Sequence, residues 1–389
     1  MHQDIRQQAD ICSHGQDLAF SAPGWSEGAL RGGTHHDVAP ATPGKFKLSG
    51  IEAARGIAAA TVVFYHAARH LGQNYGPSVL LRLFQFGHAG VDLFFVISGF
   101  IILYVHFDDI GRPDRFGRYL ARRLTRIYPT YWVALVLTVA MSFLGGLHGA
   151  PPWDRVVASV LLAPSSQAPL LGVAWTLQYE VFFYALFGIL ILHRRLGFAI
   201  LLIWIGGIVG SQFGQSAMGA IPNAFYNAFN FEFLLGMATA YLLRRHRIPA
   251  PRLVLGLGIA LFVTAAACEN AGLFNGYTDV SRLLYGLPAA MIVGGSAELD
   301  MVGLLNVPPA LLVLGKASYS IYLFQFVFIG IVWKAWLLAG LDTKLPHLAS
   351  FPLLATAGVA GGVIMSRLVE YPLINLIRAV TRARVNPDQ

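Results

Sequence analysis

Apolar residues in this chain gather into runs about as long as a membrane-spanning helix, and polar clusters separate the runs. The first run is Ser49 to Leu71, and a second extends from about Phe86 to His106. A basic loop with Arg112, Arg115, Arg118, Arg122, Arg123 and Arg126 follows. The third helix is expected from about Tyr128 to Leu147, the fourth from Trp175 to Leu192, and the fifth from Gly197 to Gly214. The sixth is expected over Phe225 to Leu243, the seventh over Leu253 to Leu273, and the eighth over Arg282 to Ala297. The ninth spans about Pro309 to Leu338 and the tenth about Phe351 to Leu368. Proline interrupts the stretch Pro151 to Leu171 too often for it to span. The pattern predicts an all-α fold, a polytopic membrane helix bundle of about ten transmembrane helices. No short period repeats along the chain, which excludes a solenoid. No inverted repeat of the transporter kind is evident.

Composition agrees. The chain is 56% hydrophobic and only 12% charged, where a soluble domain carries about 25% charged residues. Its net charge is +8, but the basic residues sit between apolar runs, so they speak for membrane topology and not for nucleic acid. Arg194, Arg195, Arg244, Arg245 and Arg247 fall on the side of the first basic loop; Arg69, Arg82, Arg155, Arg282, Lys334 and Lys344 fall on the other. The asymmetry predicts both termini on the cytoplasmic side. Residues 1–44 are polar and read as a disordered cytoplasmic tail with no signal peptide. The membrane domain is expected over 45–375, and a basic cytoplasmic tail with Arg378, Arg382 and Arg384 over 376–389. Cys12 and Cys268 form no disulfide framework, and the histidine pair His35 and His36 in the tail is not expected to hold metal.

Two residues in the first run are costly in a bilayer, Arg55 and His66. They lie eleven positions apart, about three turns, so they share a face of the helix and stand about 16 Å apart in depth. Arg55 alone could snorkel to the interface, and His66 alone could bond a neighbouring helix. As a pair on one face they point to a site. Counted from the expected helix ends, His66, Asp92, Glu180 and Glu232 fall in the outer third of the membrane. Asp92 and Glu232 could simply favour helix N-termini. A histidine beside carboxylates is also an acid–base arrangement, because a carboxylate orients imidazole and steadies its protonated form. On the inner side Arg55, Arg122, Arg123 and Arg126 are suited to phosphate, or else only set topology and touch anionic lipid.

Several segments, in order, resemble the acyltransferase-3 family of integral membrane acyltransferases. Arg55 and His66 fit its Arg, ten residues, His signature. GHAGVDLFFVISGFII (Gly87 to Ile102) is similar to its second-helix motif, and RRLTRIYPTYW (Arg122 to Trp132) to its Arg-rich third-helix entry. WTLQYEVFFY (Trp175 to Tyr184) resembles a Trp-Ser-Leu-x-x-Glu-x-x-Phe-Tyr run with Thr176 for Ser. FEFLLGM, SYSIYLFQF (Ser318 to Phe326) and VEYP (Val369 to Pro372) resemble later motifs. Many relatives carry His where this chain has Gln325, and some carry an extra esterase-like domain, which is not expected here.

The resemblance implies transfer of an acyl group, most often acetyl, from acyl-CoA to a hydroxyl of a glycan, glycolipid or macrolide. The expected setting is the bacterial inner membrane, with acyl-CoA as co-substrate and no metal. It implies His66 as base or acyl carrier, with Glu180 and Asp92 as catalytic partners. It implies Arg55, Arg122, Arg123 and Arg126 at the donor, and Trp175, Tyr179, Glu232 and Gln325 at the substrate. A lipid or small-molecule acceptor is the alternative within the class. A transporter or flippase, with the buried charges as a proton relay, is the alternative outside it.

Overall fold

The computed structural model describes residues 48–144, 150–165, 167–211 and 225–385. The tail over 1–44, its histidine pair and the end of the expected fifth helix lie outside the described residues. Thirteen α-helices make up the described chain: α1 (Ser49–Tyr75), α2 (Val79–Leu83), α3 (Gly90–His106), α4 (Pro113–Leu144), α5 (Trp153–Leu161), α6 (Trp175–Leu192), α7 (Arg194–Ser211), α8 (Asn230–Arg245), α9 (Pro251–Asn270), α10 (Asp279–Met301), α11 (Pro309–Leu338), α12 (Ser350–Met365) and α13 (Tyr371–Val385). Each of the ten expected helices has a counterpart among them.

Seven stretches are long and apolar enough to cross a membrane: 79–109, 113–143, 172–192, 194–211, 251–270, 309–338 and 347–380. The expected helices outside that set are α1, α8 and α10. The reasons are physical. α8 has only 16 residues. α1 carries Glu52, Arg55 and Arg69, and α10 carries Asp279, Arg282, Glu298 and Asp300. Of these, Arg282 and Glu298 are buried among neighbouring helices, whereas Arg69 and Asp279 are exposed.

The expected basic loop before the third helix is instead its first four turns. Pro113 opens α4 at a position where its missing N–H costs nothing, Asp114 follows in the first turn, and arginine is a good helix former. The helix continues through Pro129. In the stretch Pro151 to Leu171 a short α5 is followed by irregular chain, as the prolines require. The expected boundary at 375 falls inside α13.

Small residues set the helix spacing, as they must where lipid gives helices no hydrophobic reason to associate. α1 packs against α11 at Gly56 and Gly315; a Cβ on Gly56 would lie 2.6 Å from the amide nitrogen of Gly315. α3 packs against α8 in the same way, with Gly99 against the Phe233 carbonyl and Gly236 against the Val96 carbonyl. Around that crossing Phe95 and Phe183 both stack on Phe233, each with ring centroids 4.5 Å apart. α11 lies between α1 and α12 and is tied to α4 by the Tyr319 hydroxyl, which donates to the Ile127 carbonyl at 2.7 Å. Between α12 and α13 the chain makes one π-helical turn, Ser366–Glu370. Such turns recur where a side chain must be re-aimed at a functional position. Here the turn carries Glu370 into the interior, where Ser320 and Ser366 donate to it at 2.6 and 3.1 Å.

Candidate functional site

Two cavities lie along α1. The first is lined by Arg55 of α1, Arg123 and Arg126 of α4, Glu180 and Tyr184 of α6, and Ser318 and Tyr319 of α11. Its other wall is apolar, with Val91, Phe94, Phe95, Ile97, Ile101 and Leu177. Helical spacing explains who faces it. On α6, Thr176, Leu177, Glu180 and Tyr184 share one face. On α4, Arg123 and Arg126 turn inward, whereas Arg122, about 100° round the helix from Arg123, is exposed. Arg122 does not line the cavity, which corrects its expected place beside the other three arginines.

Among the described residues none of Arg55, Arg123 and Arg126 has an ion-pair partner within 4.0 Å. Arg123 is buried, with its guanidinium over the rings of Tyr119 and Tyr184 at 5.9 and 5.3 Å and its Nε unbonded. Arg55 feels Arg126 as a like charge and Glu370 and Glu180 as opposite ones. Glu180 accepts from the Ser98 hydroxyl at 3.1 Å and from the Tyr184 hydroxyl. Three guanidinium groups without ion-pair partners, facing one space, fit a multiply charged anion such as a phosphate ester. The apolar wall beside them fits the arm or chain such an ester would carry.

The second cavity is a cleft at the other end of α1, lined by His66, Arg69, His70 and Gln73 and, opposite, by Gly172, Val173, Trp175, Phe326, Ile329 and Gly330. One wall divides it from the first. Thr176 Oγ1 and Tyr322 Oη lie 2.9 Å apart, and both reach the Val173 carbonyl, at 3.0 and 3.1 Å. Thr176 and Tyr322 face the first cavity, and Val173 and Trp175 face the second.

His66 is oriented by Gln325. Its Nδ1 lies 2.9 Å from Gln325 Oε1. The Gln325 amide nitrogen donates to the Tyr322 carbonyl at 2.8 Å. A carbonyl only accepts, so the amide oxygen is the group turned towards His66, an assignment that rests on this bonding network. Nδ1 therefore carries the proton and Nε2 keeps its lone pair. That is the tautomer of a base. The ring also packs against Tyr65 and Phe326, with centroids 5.1 and 4.7 Å away.

This corrects the expected company of His66. The sequence pattern placed Asp92, Glu180 and Glu232 at its depth, but depth does not fix the face a residue takes. Glu180 faces the arginine cavity. Asp92 faces α10, where Arg282 donates to it at 2.5 Å; both are buried. Arg282 also donates to the Gly276 carbonyl and lies 4.3 Å from the centre of the Phe229 ring. Glu232 stands fully buried beside the same pair. Asp92 and Glu232 line neither cavity. Gln325, expected to touch substrate, is fully buried and touches His66 instead. Tyr179, also expected there, is buried in the aromatic cluster, stacked on Phe95 at 5.9 Å. Trp175 does line the cleft. Glu370, Tyr322 and the Arg69, His70 and Gln73 group were not singled out from the pattern. The last three follow His66 at helical intervals, and that spacing was the available signal.

The family model described as an acyltransferase domain, that of the acyltransferase-3 family, matches residues 48–367. The exopolysaccharide production protein ExoZ of Rhizobium meliloti (strain 1021) is 31% identical over 338 residues, 82% of this chain and 96% of its own. The acyltransferase MdmB of Streptomyces mycarofaciens is 28% identical over 394 residues, 89% of this chain and 96% of its own. No solved structure matches the chain at a significant level.

Proposed function

Since this chain belongs to the acyltransferase-3 family and is a multi-pass membrane enzyme that transfers acyl groups, we propose that its donor is acyl-CoA and its acceptor a hydroxyl of a cell-surface glycan or glycolipid. The observation that carries this is the pairing of two spaces along α1: one with three guanidinium groups that have no ion-pair partner among the described residues, and a cleft with a base-form histidine. Arg55, Arg123 and Arg126 hold the phosphates of the donor, and its pantetheine arm extends along the apolar wall to Tyr322, whose contact with Thr176 parts to let the thioester reach His66. About 16 Å of helix separates Arg55 from His66, a span that an extended arm covers. The relative concerned with exopolysaccharide production supports a glycan acceptor.

The chemistry then runs through His66. Nε2 takes the proton of the acceptor hydroxyl as its oxygen attacks the thioester carbonyl. The carbon–sulfur bond breaks, the acyl–oxygen bond remains, and the coenzyme thiolate leaves. Gln325 holds the ring through Nδ1–H while Nε2 gains and loses the proton. Donor and acceptor reach the site from opposite faces of the membrane, the donor from the cytoplasmic face.

Oriented vesicles test this. Acetyl-CoA is supplied on the cytoplasmic face only, and a membrane-impermeant glycan acceptor on one face at a time. Acylation with the acceptor outside is expected. Acylation only with the acceptor on the cytoplasmic face would refute the two-sided geometry. Absence of any acetyl-CoA consumption would favour a transporter.

A further inference from the structure

We propose that the cleft beside His66 selects an acceptor sugar that carries an oxyanion, a carboxylate or a phosphate, and that Arg69 is the selecting residue. The proposal rests on the reading of this cleft as the acceptor side. His66, Arg69, His70 and Gln73 fall at intervals of three, one and three residues, so they form one polar stripe on the last turns of α1. Trp175 and Phe326 stand opposite. Aromatic faces against a stripe of hydrogen-bonding groups suit sugar rings, whose C–H faces are apolar and whose edges are hydroxylated.

The charge makes the choice narrower. Among the described residues no Asp or Glu lines the cleft, and Arg69 has no ion-pair partner. Arg69 is exposed, yet it is held in place. It donates to the Tyr65 hydroxyl at 2.9 Å, Tyr65 and Tyr277 share a hydrogen bond of 2.5 Å, and the Tyr277 ring stacks on His88 at 4.5 Å. The bond to Tyr65 uses one of five guanidinium N–H groups. The other four remain for a ligand. A fixed cation with free donors, in a cleft without a carboxylate, favours an anion over a neutral sugar. Arg69 follows His66 by three residues, about 4.5 Å along the axis. The anionic group and the acylated hydroxyl therefore sit on the same sugar or on adjacent ones.

The test uses the full-length protein in phosphatidylcholine nanodiscs, with cellobiose, cellobiouronic acid and cellobiose 6-phosphate as probes in saturation-transfer NMR. The two charged disaccharides are expected to bind about tenfold more tightly than cellobiose, and the preference should shrink as salt rises. Comparison of the two identifies which oxyanion the cleft prefers. Arg69→Gln should bring all three to parity at the cellobiose affinity, and Arg69→Lys should keep part of the preference. Thermal unfolding in the same nanodiscs checks that the variants fold. His66→Ala should keep the preference, because selection does not use the base. Thus failure of acyl transfer with intact selection would sink the catalytic reading alone. Equal affinities in the wild-type protein, no detectable uronate binding at millimolar concentration, or a preference that survives Arg69→Gln would overturn the proposal. So would an Arg69→Gln effect confined to retention of anionic lipid.

Discussion

Gln325→Leu isolates the step on which the chemistry depends. Leucine nearly matches the volume of glutamine, so the fully buried site stays filled. What is lost is the acceptor for His66 Nδ1–H at 2.9 Å and the donor to the Tyr322 carbonyl at 2.8 Å. The second loss is mild, because that carbonyl keeps its place in the α11 ladder. The first removes what fixes the tautomer and the ring orientation. A buried polar group left without its partner costs about 1–3 kcal/mol, and about 1.4 kcal/mol is a factor of ten in rate. Turnover should therefore fall about 5- to 140-fold. The KM for acetyl-CoA should stay near the wild-type value, because Arg55, Arg123 and Arg126 lie beyond the Thr176–Tyr322 wall. The assay is acceptor-dependent thiol release from acetyl-CoA by purified protein in nanodiscs, with thermal unfolding as the control. On a His66→Ala background the substitution should cost nothing further, since the two residues act as one unit. A folded Gln325→Leu protein with wild-type turnover would refute the argument, and so would an equal loss on both backgrounds.

The remaining predictions concern the other parts of the molecule. Arg55→Lys should raise the donor KM at least tenfold while leaving acceptor binding unchanged, because a lysine cannot bind phosphate in the forked manner of arginine; titration of acetyl-CoA checks this. Tyr322→Phe removes the hydroxyl that pairs with Thr176, so acceptor-independent hydrolysis of acetyl-CoA should rise severalfold, measured as thiol release without glycan. Arg282→Met leaves Asp92 charged and buried, and should destabilise the fold by about 3–5 kcal/mol; Asp92→Asn added to it should recover part of the loss, read by thermal unfolding in nanodiscs.

The helices were legible because length and apolarity leave little choice in a membrane. Where the reading went astray, local chemistry and tertiary context competed. The arginines from Arg115 to Arg126 look like a loop to a hydropathy scale, yet arginine is a good helix former and Pro113 supplies a start. α8 and α10 show the converse. α8 is too short to span, and α10 carries four ionisable residues, of which Arg282 and Glu298 are buried inside the bundle.

The site was legible in one dimension only. Arg55 and His66 could be paired because both lie on one helix, where spacing alone fixes the face. Asp92, Glu180 and Glu232 lie on other helices, and a sequence gives their depth without giving the rotation of each helix about its axis. That rotation is set by contacts such as Gly99 against Phe233 and Gly236 against Val96, which allow α3 and α8 to meet in only one way. Once they meet, Asp92 must face Arg282, and Glu232 goes with it. The partner left for His66 is a neutral amide. The substitution is chemically meaningful: a carboxylate would hold the ring as an imidazolium more readily, whereas Gln325 fixes the neutral tautomer without adding charge to a cleft whose lining residues include a cation, Arg69, and no carboxylate. A cleft of that kind would draw the proposed anionic acceptor to a base that is still free to take its proton.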